Sequence, residues 1–370
     1  MIIIAYLMPL VLFFSGLLKD RSKLITVLMI FYFLIIIGLN TYTPDYIMYE
    51  FYYYNTNYFA SDIGYAFICN LFNGLGLTFQ EFRMVVATIY TILIYSGIKG
   101  ISGYPNAVLS MYLLWPLIPS VSGLRFSLSM AIFINAIQFL QKKSKSGMFK
   151  YIISIVIACL LHIASIYFFL FLVVRKKFTL RQYMICLWIM VFLAISAKSN
   201  LLLNIATLLN NQKLIMWLSM STENVGRLNI TGFFVYSIAL LLVFITTQLL
   251  GREVLRSKYA ALAVTVGENK TISSSIEKIN LYMRMSFCTL FIIPFYLISS
   301  EYQRYFFSTM VVSYAIFAEF RRTNGRFSTM RKLLYEFLFI MAIILTVILY
   351  MYSQTSHDIL ATLTDNVLFQ

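Results

Sequence analysis

The sequence predicts an all-α integral membrane protein, a polytopic helical bundle of about ten to twelve transmembrane segments. Three observations predict it. Of 370 residues, 61% are hydrophobic and only 12% charged, whereas soluble domains carry about 25% charge and fewer apolar residues. Apolar runs long enough to cross a bilayer recur along the whole chain. Between them the basic residues gather in alternate connections, as the excess of Lys and Arg on cytoplasmic loops requires. Together these exclude a soluble enzyme, a disordered chain and a disulfide scaffold.

The apolar runs cover residues 2–18, 24–40, 82–98, 105–120, 124–140, 151–174, 182–197, 230–250, 281–299, 305–320 and 333–351. Residues 63–79 form a shorter run interrupted by Asn and Gly, which reads as an interfacial or re-entrant helix. One threading satisfies the charge rule. Inside lie Lys19–Lys23, Lys99, Lys142–Lys150, Arg175–Arg181, the segment Arg252–Lys278 with Arg284, and Arg321–Lys332. That places 23 of the 29 Lys and Arg inside and leaves Arg83, Arg125, Lys198, Lys213, Arg227 and Arg304 outside. The acids show no such bias, so the +15 net charge reports topology, and nucleic-acid binding is not expected. Both ends come out on the outer face. The first run has no basic residue before it and reads as a span, not a cleavable signal. The chain reads as a single polytopic domain over 1–370, with outer loops 41–81 and 198–229 and an inner loop 251–280.

One segment resists the simple count. Lys150 and Arg175 both belong inside, yet only 24 residues separate them. Two short helices, 151–161 and 164–174, solve this by turning near His162, each rising ~16 Å at 1.5 Å per residue. His162 then sits at the apex of a helical hairpin, deep in the protein.

Ionisable groups at membrane depth raise functional hypotheses. Arg125 opens a span just after Pro116, Pro119 and Gly123, and an opened helix start beside a guanidinium suits an anion. The plainer alternative is an arginine snorkelling to the headgroups. His162 is one of two histidines; an imidazole suits either a general base or a cationic anion ligand. His357 reads as ordinary surface. The loop 41–62 carries seven tyrosines, the acids Asp45, Glu50 and Asp62, and no basic residue. Most of its tyrosines read as an interfacial aromatic belt. Its carboxylates suggest orienting a hydroxyl or taking its proton, Asp45 foremost. Arg304 also opens a span from outside, with Glu301 nearby, and Arg227 closes the second outer loop. Three arginines near a carboxylate-rich tyrosine loop suit an anionic headgroup such as a diphosphate.

The four cysteines show no paired spacing, no phosphate-loop, zinc-protease or nucleophile-elbow motif occurs, and no hard-cation cluster stands out. Neither metal nor cofactor is expected.

The order of several short motifs resembles the EpsG family, which belongs with the Wzy-type polymerases of bacterial exopolysaccharide and capsule. These are Pro44-Asp-Tyr-Ile-Met-Tyr49, Asp62-Ile-Gly-Tyr65, Gly74-Leu-Gly-Leu-Thr-Phe79, Leu124-Arg-Phe-Ser-Leu-Ser129, Leu161-His-Ile-Ala-Ser165 and Gln303-Arg-Tyr305. Phe126 stands where the family usually has glutamine. The resemblance implies a GT-C-like membrane glycosyltransferase of the bacterial cytoplasmic membrane. It would join polyprenyl-diphosphate-linked oligosaccharide repeats into exopolysaccharide, capsule or O-antigen at the outer face, alongside flippase and chain-length regulator proteins. Mapped here, Arg125 and Arg304, with Arg227 as a third candidate, neutralise the departing diphosphate. Asp45 or His162 takes the acceptor proton, and Tyr46, Tyr49 and Asp62 line the sugar path. A membrane O-acyltransferase and a lipid-linked oligosaccharide flippase are the rival readings. Both fit less well, because the unusual polar groups gather on one face.

Overall fold

A computed structural model describes residues 2–56, 62–142, 144–177, 179–198, 201–210, 215, 228–264, 270–297, 302–323 and 329–353. Every described element of more than a turn is helical. Five helices are long and apolar enough to cross a membrane: Phe79–Ile101, Leu124–Gln141, Gly232–Ala263, Thr271–Leu297 and Thr329–Met351. Shorter apolar helices, Lys23–Gly38 and Pro105–Leu114 among them, accompany these. The chain is therefore a multi-pass helical membrane protein. Its residues group into two compact units, one mainly Met1–Leu172 with Tyr314–Asn324, the other Val173–Ser313 with Gly325–Ser353.

In the first unit, α1 (Ile2–Leu18) and α2 (Lys23–Gly38) are joined by a tight polar turn. Asn106, at the start of α6 (Pro105–Leu114), ties that turn down. Its Nδ2 donates to the carbonyls of Lys19 and Ser22 (both 2.9 Å), and its Oδ1 accepts from Thr26 Oγ1 (2.6 Å). Helix ends leave such carbonyls without partners, so a buried amide here closes the end of α1. Next come α3 (Tyr46–Tyr54), α4 (Ile63–Gly74) and α5 (Phe79–Ile101). At 12 residues, about 18 Å, α4 is too short to span a bilayer, as expected for 63–79. A capping box between Thr78 and Glu81 sets where α5 begins.

The run 105–120, expected as one span, is broken. Helix α6 stops at Leu114, the Trp115–Pro116 peptide is cis, and a six-residue helix α7 (Leu117–Ser122) leads through Gly123 into α8 (Leu124–Gln141). The prolines that marked this stretch remove amide donors from a continuous ladder. Trp115 is fully buried at the break, and its carbonyl accepts from Tyr314 Oη (2.7 Å).

The hairpin near His162 is present, with longer arms than expected. Helix α9 starts at Lys145 and ends at Leu161, and a 3-10 helix runs Ile163–Arg175. The fold-back is direct: Tyr151 Oη donates to the Phe168 carbonyl at 2.7 Å, across 17 residues. A 3-10 helix rises about 2.0 Å per residue against 1.5 Å for an α-helix. Each arm therefore measures ~25 Å, not ~16 Å, and carries His162 further than an α-helical count allows. Along the 3-10 arm Ser165, Phe168, Phe171 and Val174 are each fully buried. That is the three-residue period of such a helix. Phe168 stacks on Phe133 of α8, centroids 4.0 Å apart.

The second unit holds α10 (Leu180–Lys198), α11 (Leu201–Leu208), α12 (Leu228–Val264), α13 (Lys270–Thr289) continued by a 3-10 helix Leu290–Leu297, α14 (Gln303–Arg321, whose later turns belong to the first unit) and α15 (Thr329–Ser353). The stretch 251–280, expected as a loop, is helical to Val264 and again from Lys270.

Candidate functional site

The tyrosine-rich segment folds onto the start of α5. Asp45, half-buried, sits just before α3, and its carbonyl accepts the Tyr49 amide (2.9 Å). Tyr46, Tyr49 and Tyr53 recur at three- and four-residue spacing and so share one face. Tyr49 and Tyr53 are buried, a correction to the aromatic-belt expectation for these two. Tyr53 Oη donates to the Leu77 carbonyl (2.8 Å) and its ring stacks on Phe82. Tyr46 Oη donates to Gln80 Oε1 (3.1 Å), while Gln80 Nε2 donates to the Gly38 carbonyl (2.6 Å).

On this platform Asp62, Arg125 and His162 meet. They lie 63 and 37 residues apart in sequence and arrive from three elements. Asp62 immediately precedes α4, Arg125 is in the first turn of α8, and His162 is the residue where α9 gives way to the 3-10 helix. Arg125 Nη1 donates to Asp62 Oδ2 (2.5 Å), and Arg125 Nε donates to Tyr49 Oη (3.3 Å). Asp62 Oδ1 accepts the Ile163 amide (3.1 Å), which ties the carboxylate to the hairpin apex. His162 Nδ1 is buried and lies 3.6 Å from Asp62 Oδ2. Its ring packs edge-on against Phe126, which seats the imidazole. The Asp62 side chain is 3% exposed, those of Arg125 and His162 20% each.

Gly64 makes this convergence sterically possible. A Cβ there would stand 2.9 Å from both the Leu160 carbonyl oxygen and its Cβ. The absence of a side chain lets α4 cross the end of α9 closely enough for Asp62 to reach the apex.

Burial alone would push the Asp62 carboxyl upward. The nearby His162 imidazole, the hydrogen bond from the Ile163 amide and the charge of Arg125 outweigh it and hold the group below the usual carboxylate range. The ionised form is the one this site stabilises.

Arg83 is the residue that sequence reasoning missed beyond its place among the outer basic residues. It is fully buried in the first turns of α5. Nη2 donates to the Ile37 carbonyl (3.0 Å), and the guanidinium lies over the rings of Tyr46 (5.1 Å) and Phe79 (5.8 Å). Nε and Nη1 find no hydrogen-bond acceptor among the described residues. A buried, incompletely bonded guanidinium is costly. The sequence signal available was an arginine amid apolar residues two positions after the capping glutamate. Both Arg83 and Arg125 act electrostatically on Tyr49 and Tyr65. The cluster thus holds two guanidiniums around one tyrosine pair, with Asp62 pairing Arg125.

The other expected residues lie elsewhere. Arg304 is in the first turn of α14, half-buried, in the second unit, and its carbonyl accepts from Ser308 Oγ (3.0 Å). Arg227, Glu301 and His357 fall outside the described residues. Among the described residues no group of three His, Cys, Asp or Glu is placed to hold a metal ion.

No curated protein and no solved structure matches this chain. A family model does, over residues 23–361, nearly the whole length. With its helical membrane fold and motif order, the chain belongs to the EpsG family, a family of Wzy-type polysaccharide polymerases.

Proposed function

We propose that the chain polymerises oligosaccharide repeat units carried on polyprenyl diphosphate, at the outer face of the bacterial cytoplasmic membrane. The transfer is metal-independent and builds exopolysaccharide, capsule or O-antigen. The observation that carries this reading is the meeting of Arg125, Asp62 and His162 beside a second, buried guanidinium. In the proposed step the donor sugar C1–O bond to the diphosphate breaks, and the diphosphate leaves with the electron pair. Arg125 faces that growing negative charge, with Arg83 raising the local positive potential; fixed charge is the main lever of a site working without a metal. A new bond forms between C1 and the acceptor hydroxyl oxygen, and the hydroxyl proton passes to His162 Nε2. Asp62, toward Nδ1, favours the tautomer that leaves Nε2 basic.

This arrangement favours His162 over Asp45 as the base, because a carboxylate orients only the former. Asp45, one turn from Tyr49, then positions the acceptor with Tyr46 and Tyr49. Arg304 and Arg227 serve the diphosphate from their own segments. A flippase delivers the substrate and a chain-length regulator sets product size.

The test is elongation by purified protein of a lipid-linked repeat unit, read as a product ladder on a gel. A ladder with wild type that is absent with Arg125→Ala supports the reading. Acyl transfer without a ladder would make the protein an O-acyltransferase, and movement across vesicles without a ladder would make it a flippase.

A further inference from the structure

In the second unit a cavity of about 740 Å³ opens between α12, α13 and the start of α10. Three cations line it: Lys177, Arg252 and Arg284. None of its described lining residues is acidic. Lys177 and Arg252 are exposed and have no ion-pair partner among the described residues. Arg284 is held in place by its Nε, which donates to the Val174 carbonyl (2.7 Å), so its position is fixed before any ligand arrives. Glu277, the carboxylate whose charge reaches Arg284, lies outside the lining. The lining changes character along its length. Arg252 stands eight residues, about 12 Å along the helix axis, from Phe244 on α12, which with Ile245 and Phe287 forms an apolar wall. Gln248 and Asn280 sit between, their amides bonded to the Met283 and Ile276 carbonyls.

A cationic rim over an apolar floor fits an anion that carries a hydrocarbon chain. The rim comes from the two basic segments, 175–181 and 252–284, that the charge rule assigns to one side of the membrane. Basic pockets between helices on that side suit phosphate headgroups. We infer that this cavity is a binding site for the phosphate headgroup of an anionic amphiphile, with Lys177, Arg252 and Arg284 on the phosphate and Phe244, Ile245 and Phe287 along the first carbons of the tail. It shares no residue with the Arg125 site and does not depend on the polymerase reading.

Native mass spectrometry of the full-length protein, delipidated and then exposed to phosphatidylglycerol or phosphatidylcholine, tests this. Wild type is expected to retain phosphatidylglycerol in preference. The variant K177Q/R252Q, which changes only exposed side chains, is expected to bind it about tenfold more weakly, since each juxtamembrane charge contributes appreciably to anionic-lipid affinity. R284Q is expected to lose more. Inorganic phosphate and diphosphate are added as competitors. If neither displaces the lipid, the ligand is a membrane lipid; if either does so in wild type, the phosphate site stands and is fed by a soluble anion. Equal phosphatidylglycerol retention by wild type and K177Q/R252Q, without preference over phosphatidylcholine, overturns the proposal.

Discussion

Two arginine–aspartate pairs do different work with the same chemistry. Near the first turn of α2, Arg322 Nε and Nη2 donate to Asp20 (2.6 and 2.5 Å), Arg321 Nη1 donates to the Leu17 carbonyl (2.7 Å), and Arg21 and Arg322 both lie over the Tyr104 ring. The contacts described for Arg322 and Arg321 there run to the carboxylate, a helix-end carbonyl and a ring. The pair clasps segments 302 residues apart. At the hairpin apex, the Asp62–Arg125 pair has a histidine, tyrosines and a second arginine for neighbours. An ion pair among backbone carbonyls fastens a fold. One among titratable side chains can move protons and hold anions. The surroundings, and not the pair, separate a clasp from a site.

Breaking each pair should expose that difference. The largest effect is expected from Arg125→Ala: polymer lost by at least ~10²-fold, as when a transition-state donor is removed, with the protein still inserted. Arg125→Lys should restore little, because a point charge lacks the guanidinium fork. Normal polymer in Arg125→Ala would end the site assignment. For His162→Ala, loss of ~10²-fold or more in turnover is expected. Turnover close to wild type in that variant would move the base elsewhere, to Asp45 first.

Asp62→Asn keeps the shape and removes the charge, and turnover should fall ~10-fold or more. Its linkage to pH has a definite sign. The folded carboxyl titrates below the unfolded value of about 3.9. Its contribution to stability is therefore full above that value and fades as pH falls through the lower folded one. Wild-type melting temperature should stay level against this group down to about pH 4, and the Asn variant should lack the fall below it. Gly64→Ala comes next. In a helix the change normally gains up to ~1 kcal/mol, but here the new Cβ meets the Leu160 carbonyl oxygen. A loss of ~1–3 kcal/mol is expected, along with weaker polymerisation, and a stabilised protein would show that the crossing is looser than described. Asp20→Asn should do least. Arg322 is 48% exposed, so the pair contributes at most ~1 kcal/mol. Turnover per inserted molecule should not change; if it did, the contrast between clasp and site would fail.

The sequence made the helical class, the break before Arg125 and the turn at His162 legible, because each follows from something local: composition, prolines and glycine in a row, and two basic clusters too close for one span. The hub role of Asp62 was not legible. Its partners sit 63, 100 and 101 residues away, and no local period records a tertiary meeting. Arg83 was overlooked for a related reason, since an arginine near a helix start looks alike whether it reaches solvent or is covered by a folded-back tyrosine helix. The arm lengths were misjudged because residues 163–174 are apolar apart from Ser165 and the Tyr167 hydroxyl. Little polar contrast marks which face is inward, so a three-residue period passes for any other.

That period behaves like a reading frame. Ser165, Phe168, Phe171 and Val174 face inward together because each step of three completes one turn. Inserting one residue just after His162 would rotate the whole seam by about 120° and turn Phe168 away from Phe133. Inserting three would shift the arm by one turn and restore the facing. Length variation here should therefore come in threes, with the frame read by a stack of two aromatic rings.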